Sequence, residues 1–180
     1  MREPHLLSEE LLLAYASGES SEAMSLLAAA HLSLSPAARQ VLSRLERNLA
    51  AGMESAPVAL VAPDAFALLL GRLEEPPPEP VVQTKPALPT DFEIPAPLWP
   101  YLQDKAWKTV LPGRVKQVEL APQIGQTPIA LVWMRPGFRV PTHSHHGAEF
   151  NLVLTGGFTD LKQDFLPGDV AERGPEHAHD

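Results

Sequence analysis

Apolar residues recur at helical spacing through the first half of the chain and predict four helices. The first begins after Ser8, whose hydroxyl suits a helix N-cap, has two acids in its first turn and ends at Gly18. The others are expected from about Ser21 to Leu34, from Ser35-Pro36 through Leu49, and after Asp64. Each has one apolar face, so this half is predicted to form a helical domain with a small core.

The second half changes to short runs of β-type residues that are separated by Pro-Gly and Gly-Gly turns. Turns at this spacing are typical of an all-β sandwich or barrel. The chain is therefore predicted to be an α+β protein of two domains. The predicted strands are Val115–Leu120, Ile129–Met134, Phe150–Leu154 and Phe158–Leu161.

Proline marks the boundary between the two halves. Nine of the 20 prolines lie between Pro76 and Pro100. Because proline fixes φ and has no amide donor, this stretch is predicted to be an extended, semi-stiff spacer. The predicted organisation is a helical domain over 1–75, a linker over 76–100 and a strand domain over 101–180.

Composition narrows the class of protein. Of 180 residues, 44% are hydrophobic and 20% charged, and no apolar run approaches the roughly 18 residues of a membrane helix. No signal-peptide core follows the N-terminus, so we expect a cytoplasmic protein without a membrane partner. A net charge of −8 argues against direct binding of nucleic acid. The absence of cysteine excludes disulfides, thiolate chemistry and Cys-based metal sites.

The histidines indicate a metal site. Five of the seven lie in the last 38 residues. On a strand, His143 and His145 point the same way, and Glu149 can return to the same point from the turn or the next strand. Two imidazoles and a carboxylate suit a first-row transition metal. The alternative is a surface cluster of histidines in a loop, and His146, of the opposite parity, is expected to be exposed.

The spacing of these residues resembles the first signature of the cupin superfamily: Gly137, five residues, His-x-His, three residues, Glu149, six residues, Gly156. This resemblance implies a small jelly-roll β-barrel and a third histidine eleven residues after the glycine of a Pro-Gly-Asp turn. Here Gly168 is followed at that distance by His179, with His177 as the alternative ligand. Cupin barrels continue for two or more strands after this ligand, so we expect that the last strands are missing by truncation, that another chain completes the sheet, or that the sheet has an open edge.

The expected metal ligands are therefore His143, His145, Glu149 and His179. Nitrogen and oxygen ligands suit Zn, Fe, Mn or Ni about equally by softness, and zinc is favoured by the resemblance.

The order of a helical domain, a proline-rich spacer and a cupin resembles the ChrR-type anti-sigma factors. The runs from Leu11 to Gly18 and from Ala29 to Arg39 match that family's zinc-binding N-terminal domain. The resemblance implies zinc ligands at His31 and at two cysteine positions, which here hold Ser35 and Ala38. The first ligand's position holds Leu6, with His5 beside it. We therefore expect no N-terminal zinc, with Ser35 as a helix cap and Leu6 as a buried apolar residue.

The same resemblance implies a function. The N-terminal helices are expected to bind an extracytoplasmic-function sigma factor, and the cupin domain to act as sensor of oxidative stress such as singlet oxygen. A metal-dependent cupin enzyme, a dioxygenase or isomerase, is the alternative, and the metal site leaves room for a small-molecule ligand. A third possibility is a remnant that has lost sigma binding together with its zinc.

Overall fold

A computed structural model describes residues 2–73, 76–77, 79, 84–88, 90–120, 127–141, 147–160 and 163–174. The fold is α+β, as predicted. A short 3-10 helix over Ala96–Leu98 leads directly into the fifth α-helix. The α-helices are α1 Glu9–Ser17, α2 Glu22–Leu34, α3 Pro36–Glu54, α4 Ala65–Leu73 and α5 Trp99–Leu102.

The first three helices begin where the sequence predicts. In each, the hydroxyl of an N-cap serine accepts a hydrogen bond from the amide three residues later, which satisfies one of the free N–H groups of the first turn. α1 ends at Gly18, whose φ of 77° favours glycine. The three caps are Ser8 with Leu11, Ser21 with Met24 and Ser35 with Ala38.

The fourth helix is present, but the predicted four-helix domain is not confirmed. α1, α2 and α3 contact one another, whereas no residue of α4 is buried. The apolar faces of the first three helices are already occupied by one another and by the strands. α4 is therefore a helix of apolar residues that extends into solvent.

In the residues that the structure describes, seven strands form three antiparallel sheets. One sheet has the order β1-β2-β3, and β4 pairs with β7 and β5 with β6. The four predicted strands are confirmed, with ends shifted by up to two residues. The strands β1, β6 and β7 were not predicted, because their own residues show no clear alternation of apolar and polar positions. The strands are β1 Lys108–Leu111, β2 Val115–Glu119, β3 Ala130–Met134, β4 Glu149–Leu152, β5 Phe158–Asp160, β6 Gln163–Phe165 and β7 Val170–Arg173.

These sheets do not close on one another within the described ranges, so the cupin barrel stays a prediction. Several connections between strands, at 121–126, 142–146 and 161–162, lie outside the described residues, as does the end of the chain from 175.

α2 lies at the centre of the molecule. One of its faces packs against the segment 88–102 and the sheet β1-β2-β3, and another against α1, α3 and the pair β4-β7. A helix that is apolar on most sides is buried on most sides. The two halves of the chain therefore share their cores, and the helical half does not depend on its own contacts alone. The buried apolar residues of α2 are Ala23, Leu26 and Ala30 on the first face, and Ala28 and Leu32 on the second.

The later part of the proline-rich segment departs from the predicted extended spacer. Leu88, Ile94 and Leu98 are buried in the core beside α2. The indole Nε1 of Trp99 donates a hydrogen bond to the Ile94 carbonyl at 2.8 Å. Apolar residues spaced between the prolines bring this stretch into the core, although proline restricts its backbone. The division into domains at 75 and 101 stays a prediction.

Candidate functional site

Glu149 is the one predicted metal ligand that the structure describes. It begins β4 and is half-buried, and its Oε1 accepts a hydrogen bond from Nδ2 of Asn151 at 2.8 Å. The other predicted ligands, His143, His145 and His179, lie outside the described residues, as do His146 and the alternative ligand His177. Within the described ranges no three His, Asp or Glu side chains are grouped to hold a metal. The cupin metal site therefore stays a prediction.

A buried ion pair lies beside Glu149. Glu149 is the register partner of Arg173 on β7, and Nε of Arg173 donates to Oδ2 of Asp160 on β5 at 2.6 Å. Asp160 is buried and the guanidinium also lies over the ring of Phe165. A buried charge is tolerated when it is paired in this way. The pair connects β7, the strand opposite Glu149, to the hairpin β5-β6. The sequence did not predict this pair because its partners come from different strands.

The residues at the implied N-terminal zinc site do not fit zinc. His31 is fully buried, and its Nε2 accepts a hydrogen bond from the Leu7 amide at 3.5 Å. The Ser35 hydroxyl accepts from the Ala38 amide at 3.2 Å, so it serves as the cap of α3. Ala38 has no donor atom for a metal. One nitrogen donor, already bonded to a backbone amide, does not make a zinc site.

The segment before α1 differs in detail from the prediction. Leu6 is only half-buried, whereas Leu7 is almost completely buried among residues of all three packed helices. Because successive side chains of an extended segment alternate in direction, one of two neighbouring leucines enters the core and the other lies at its edge. Leu7 thus enters the helical core, and its backbone amide is bonded to His31.

Burial also determines the charge state of His31. It lowers the pKa of His31 below its ordinary value of 6.5, and the backbone of Gly168 and the charge of Asp169 oppose this shift only in part. Since Nε2 accepts from Leu7, the proton of the neutral ring belongs on Nδ1. Nδ1 has no hydrogen bond of ordinary geometry within the described ranges, although Gly168 lies near it.

Asp169 is the functional candidate that sequence reasoning missed. It is buried in the turn between β6 and β7, and its carboxylate accepts from the amides of Leu166 and His5 and pairs with Arg2. Burial alone would raise the pKa of Asp169, but these hydrogen bonds and the Arg2 charge lower it overall. The available signal was an acid in a Pro-Gly-Asp turn, and nothing local indicated its distant partners.

No family model matches the chain, but a similar protein and a similar solved structure identify its family. It is 38% identical to the anti-sigma-E factor ChrR of Cereibacter sphaeroides, over 97% of this chain and 81% of that protein's length. The crystal structure of Rhodobacter sphaeroides SigE in complex with the anti-sigma ChrR matches with a TM-score of 0.76 at 31% identity, over 97% of this chain and 89% of that chain.

The class of protein is thus the anti-sigma factors, which are regulators rather than enzymes. Within that class the chain belongs to the family of the anti-sigma-E factor ChrR. The similarity to the anti-sigma-E factor ChrR gives no support to the alternative of a cupin dioxygenase or isomerase. Among the described residues, no helix has the length and apolar character needed to cross a membrane.

Proposed function

We propose that this chain is an anti-sigma factor that binds an extracytoplasmic-function sigma factor through its N-terminal helices. The observation that carries the proposal is the exposed apolar face of α4. The identity to an anti-sigma-E factor supports it, as does the similarity to the ChrR chain of a SigE–ChrR complex.

Four exposed apolar residues of α4 have the spacing of the residues with which an amphipathic helix binds in an apolar groove. They occupy positions i, i+3, i+4 and i+7, which form one stripe along a helix. Apolar surface left in water costs roughly 25 cal/mol per Å², so a partner that covers this stripe gains binding free energy. The residues and their exposed fractions are Phe66 70%, Leu69 57%, Leu70 46% and Leu73 73%.

The strand half is proposed to be a metal-binding cupin that senses oxidative stress such as singlet oxygen. Its metal would be held by His143, His145, Glu149 and His179, with zinc favoured over Fe, Mn or Ni. A metal site with an open position could also take a small-molecule ligand. Since a sigma factor works with RNA polymerase, the proposed location is the cytoplasm.

A pair of matched substitutions tests sigma binding by the full chain. Leu70 on α4 and Met134 on β3 are both 46% exposed. Each is replaced by Asp, and each variant is mixed with the cognate sigma factor at micromolar concentration for gel filtration. Co-elution of wild type and Met134→Asp, but not of Leu70→Asp, is expected. Failure of the wild type to co-elute would refute the function, and co-elution of Leu70→Asp would refute the role of α4.

A further inference from the structure

The first residues of the chain form an extended segment that joins the two halves of the molecule. We call residues 2–7 the N-terminal strap. Arg2 contacts strand β6, and His5 contacts the start of β7. Leu7 lies in the core of the helices. The strap is therefore in contact with the strand half at one end and the helical half at the other.

Asp169 holds the strand end of the strap. Its Oδ1 accepts from the His5 amide at 3.0 Å, and its Oδ2 accepts from the Leu166 amide at 2.7 Å and from Arg2. The His5 carbonyl in turn accepts from the Val170 amide at 2.9 Å. Charge-assisted hydrogen bonds to a buried carboxylate are stronger than neutral ones, so Asp169 is the strongest single anchor of this segment.

Side-chain packing reinforces the same contact. The ring of His5 lies 4.6 Å from that of Phe165 between centroids. Gly168, with a φ of +89°, places the turn directly against the end of α2, where the backbone of Leu34 lies 3.6 Å from the position of a Cβ. The turn over 167–169 therefore contacts both the strap and α2.

At its other end the strap completes the helical core. Leu7 packs in one cluster with Leu12 of α1, Leu45 of α3 and Val170 of β7. Its amide is bonded to the buried His31 of α2. Displacement of Leu7 would open a cavity among the three helices, and cavities in such cores are costly.

We infer that the strap couples the two halves, with Asp169 as the positioning residue through which the strand half holds the helices in their binding arrangement. This inference rests on the proposed function for its consequence. When the turn at Asp169 releases the strap, Leu7 leaves the core, the helices loosen and affinity for the sigma factor falls. A change of structure in the strand half thereby reaches α1, α2 and α3, which belong with α4 to the helical half that is proposed to bind the sigma factor.

Amide hydrogen exchange in the full chain tests the coupling. Asp169→Asn removes the charge, and Asp164→Asn is the matched control, because Asp164 lies on β6 just before the same turn, with its side chain bonded to Thr159. Loss of a charge-assisted bond is expected to speed exchange of the Leu7, Leu12 and Val170 amides about tenfold in Asp169→Asn only. Unchanged exchange at Leu7 and Leu12 would overturn the inference.

A second variant guards against simple misfolding. Arg2→Gln removes a half-exposed side chain and leaves the carboxylate in place. It should speed the same amides, and in the Asp169→Asn background it should add less than it does alone, since both changes break the contact between Arg2 and Asp169 and only the bond from Arg2 to the Asp164 carbonyl is lost in addition. Full additivity of the two effects would contradict a shared anchor.

Sigma binding separates this inference from the proposed function. If the wild type binds, Asp169→Asn should raise Kd about tenfold while Asp164→Asn leaves it unchanged. Equal Kd values for wild type and Asp169→Asn would refute regulation through the strap. If the wild type does not bind, the proposed function fails, and the exchange of Leu7 and Leu12 alone decides whether the two halves are coupled.

Discussion

The backbone amide of Leu7 donates a hydrogen bond to Nε2 of His31, with 3.5 Å between the two nitrogens. The resemblance to ChrR-type proteins implies that this histidine binds zinc. In this chain its ring nitrogen is bonded to the strap instead, and the Ser35 hydroxyl caps a helix. Hydrogen bonds and the packing of Leu7 thus join the parts that a metal would otherwise connect.

Restoring the implied ligands should restore the metal. The triple variant Leu6→His, Ser35→Cys, Ala38→Cys would supply two thiolates and a second imidazole next to His31, a set that zinc prefers. Elemental analysis should find about one more zinc per chain than in the wild type. The single variant Ser35→Cys is the control and should gain none. Equal zinc in the triple variant and the wild type would contradict this account.

Stability should fall on mild acidification because of His31. Its pKa is lowered in the folded chain, so between that value and 6.5 the unfolded state binds more protons. The free energy of unfolding therefore rises with pH through this window and falls as pH drops below 6.5. Urea unfolding of wild type and His31→Gln at pH 7.5 and 5.5 measures the effect. A pH dependence that is the same in both proteins would exclude His31 as its source.

Gly168→Ala should destabilise the chain through its backbone. A left-handed conformation costs a residue with a Cβ roughly 1–2 kcal/mol, and Gly168 has a φ of +89°. Gly52→Ala is the control, because Gly52 lies inside α3 with nothing within 4 Å of a Cβ. There alanine should stabilise by about 0.5–1 kcal/mol. Chemical denaturation measures both, and a shift of the same sign in the two variants would be inconsistent with the structure.

Truncation of a leucine should destabilise the chain strongly in α1 and hardly at all in α4. Leu12 of α1 is fully buried, so Leu12→Ala should lower the free energy of unfolding by about 2–5 kcal/mol. Leu69 of α4 is 57% exposed, and Leu69→Ala should change it by less than about 0.5 kcal/mol. A large loss in Leu69→Ala would mean that α4 packs against the chain itself.

Glu149→Ala should lower the metal content of the purified protein if the predicted cupin site is correct. Removal of one carboxylate from a four-ligand set weakens binding strongly. Glu172 on the adjacent strand β7 provides the control, because it is exposed and is the register partner of Phe150 rather than of Glu149. Metal content that is unchanged in Glu149→Ala, or lowered equally in both variants, would count against the carboxylate as a ligand.

Local chemistry made the helix starts readable from the sequence. The hydroxyls of Ser8, Ser21 and Ser35 each bond an amide three residues away, so cap and helix lie within one short window. Strands with a clear alternation of apolar and polar residues could also be predicted, because this pattern lies within the strand itself. Short strands such as Gln163–Phe165 were missed because their pairing partners, and not their own residues, make them strands.

What the sequence by itself determined is the α+β class, the first three helices and the loss of the implied N-terminal zinc ligands, since each depends on residue type and short spacing. Only the tertiary structure decided that α2 is shared by both halves, that no residue of α4 is buried by the described part of the chain, and that Asp169 holds His5. Those two residues are 164 positions apart. Their contact depends on how the β6–β7 turn packs against α2, which no local pattern encodes.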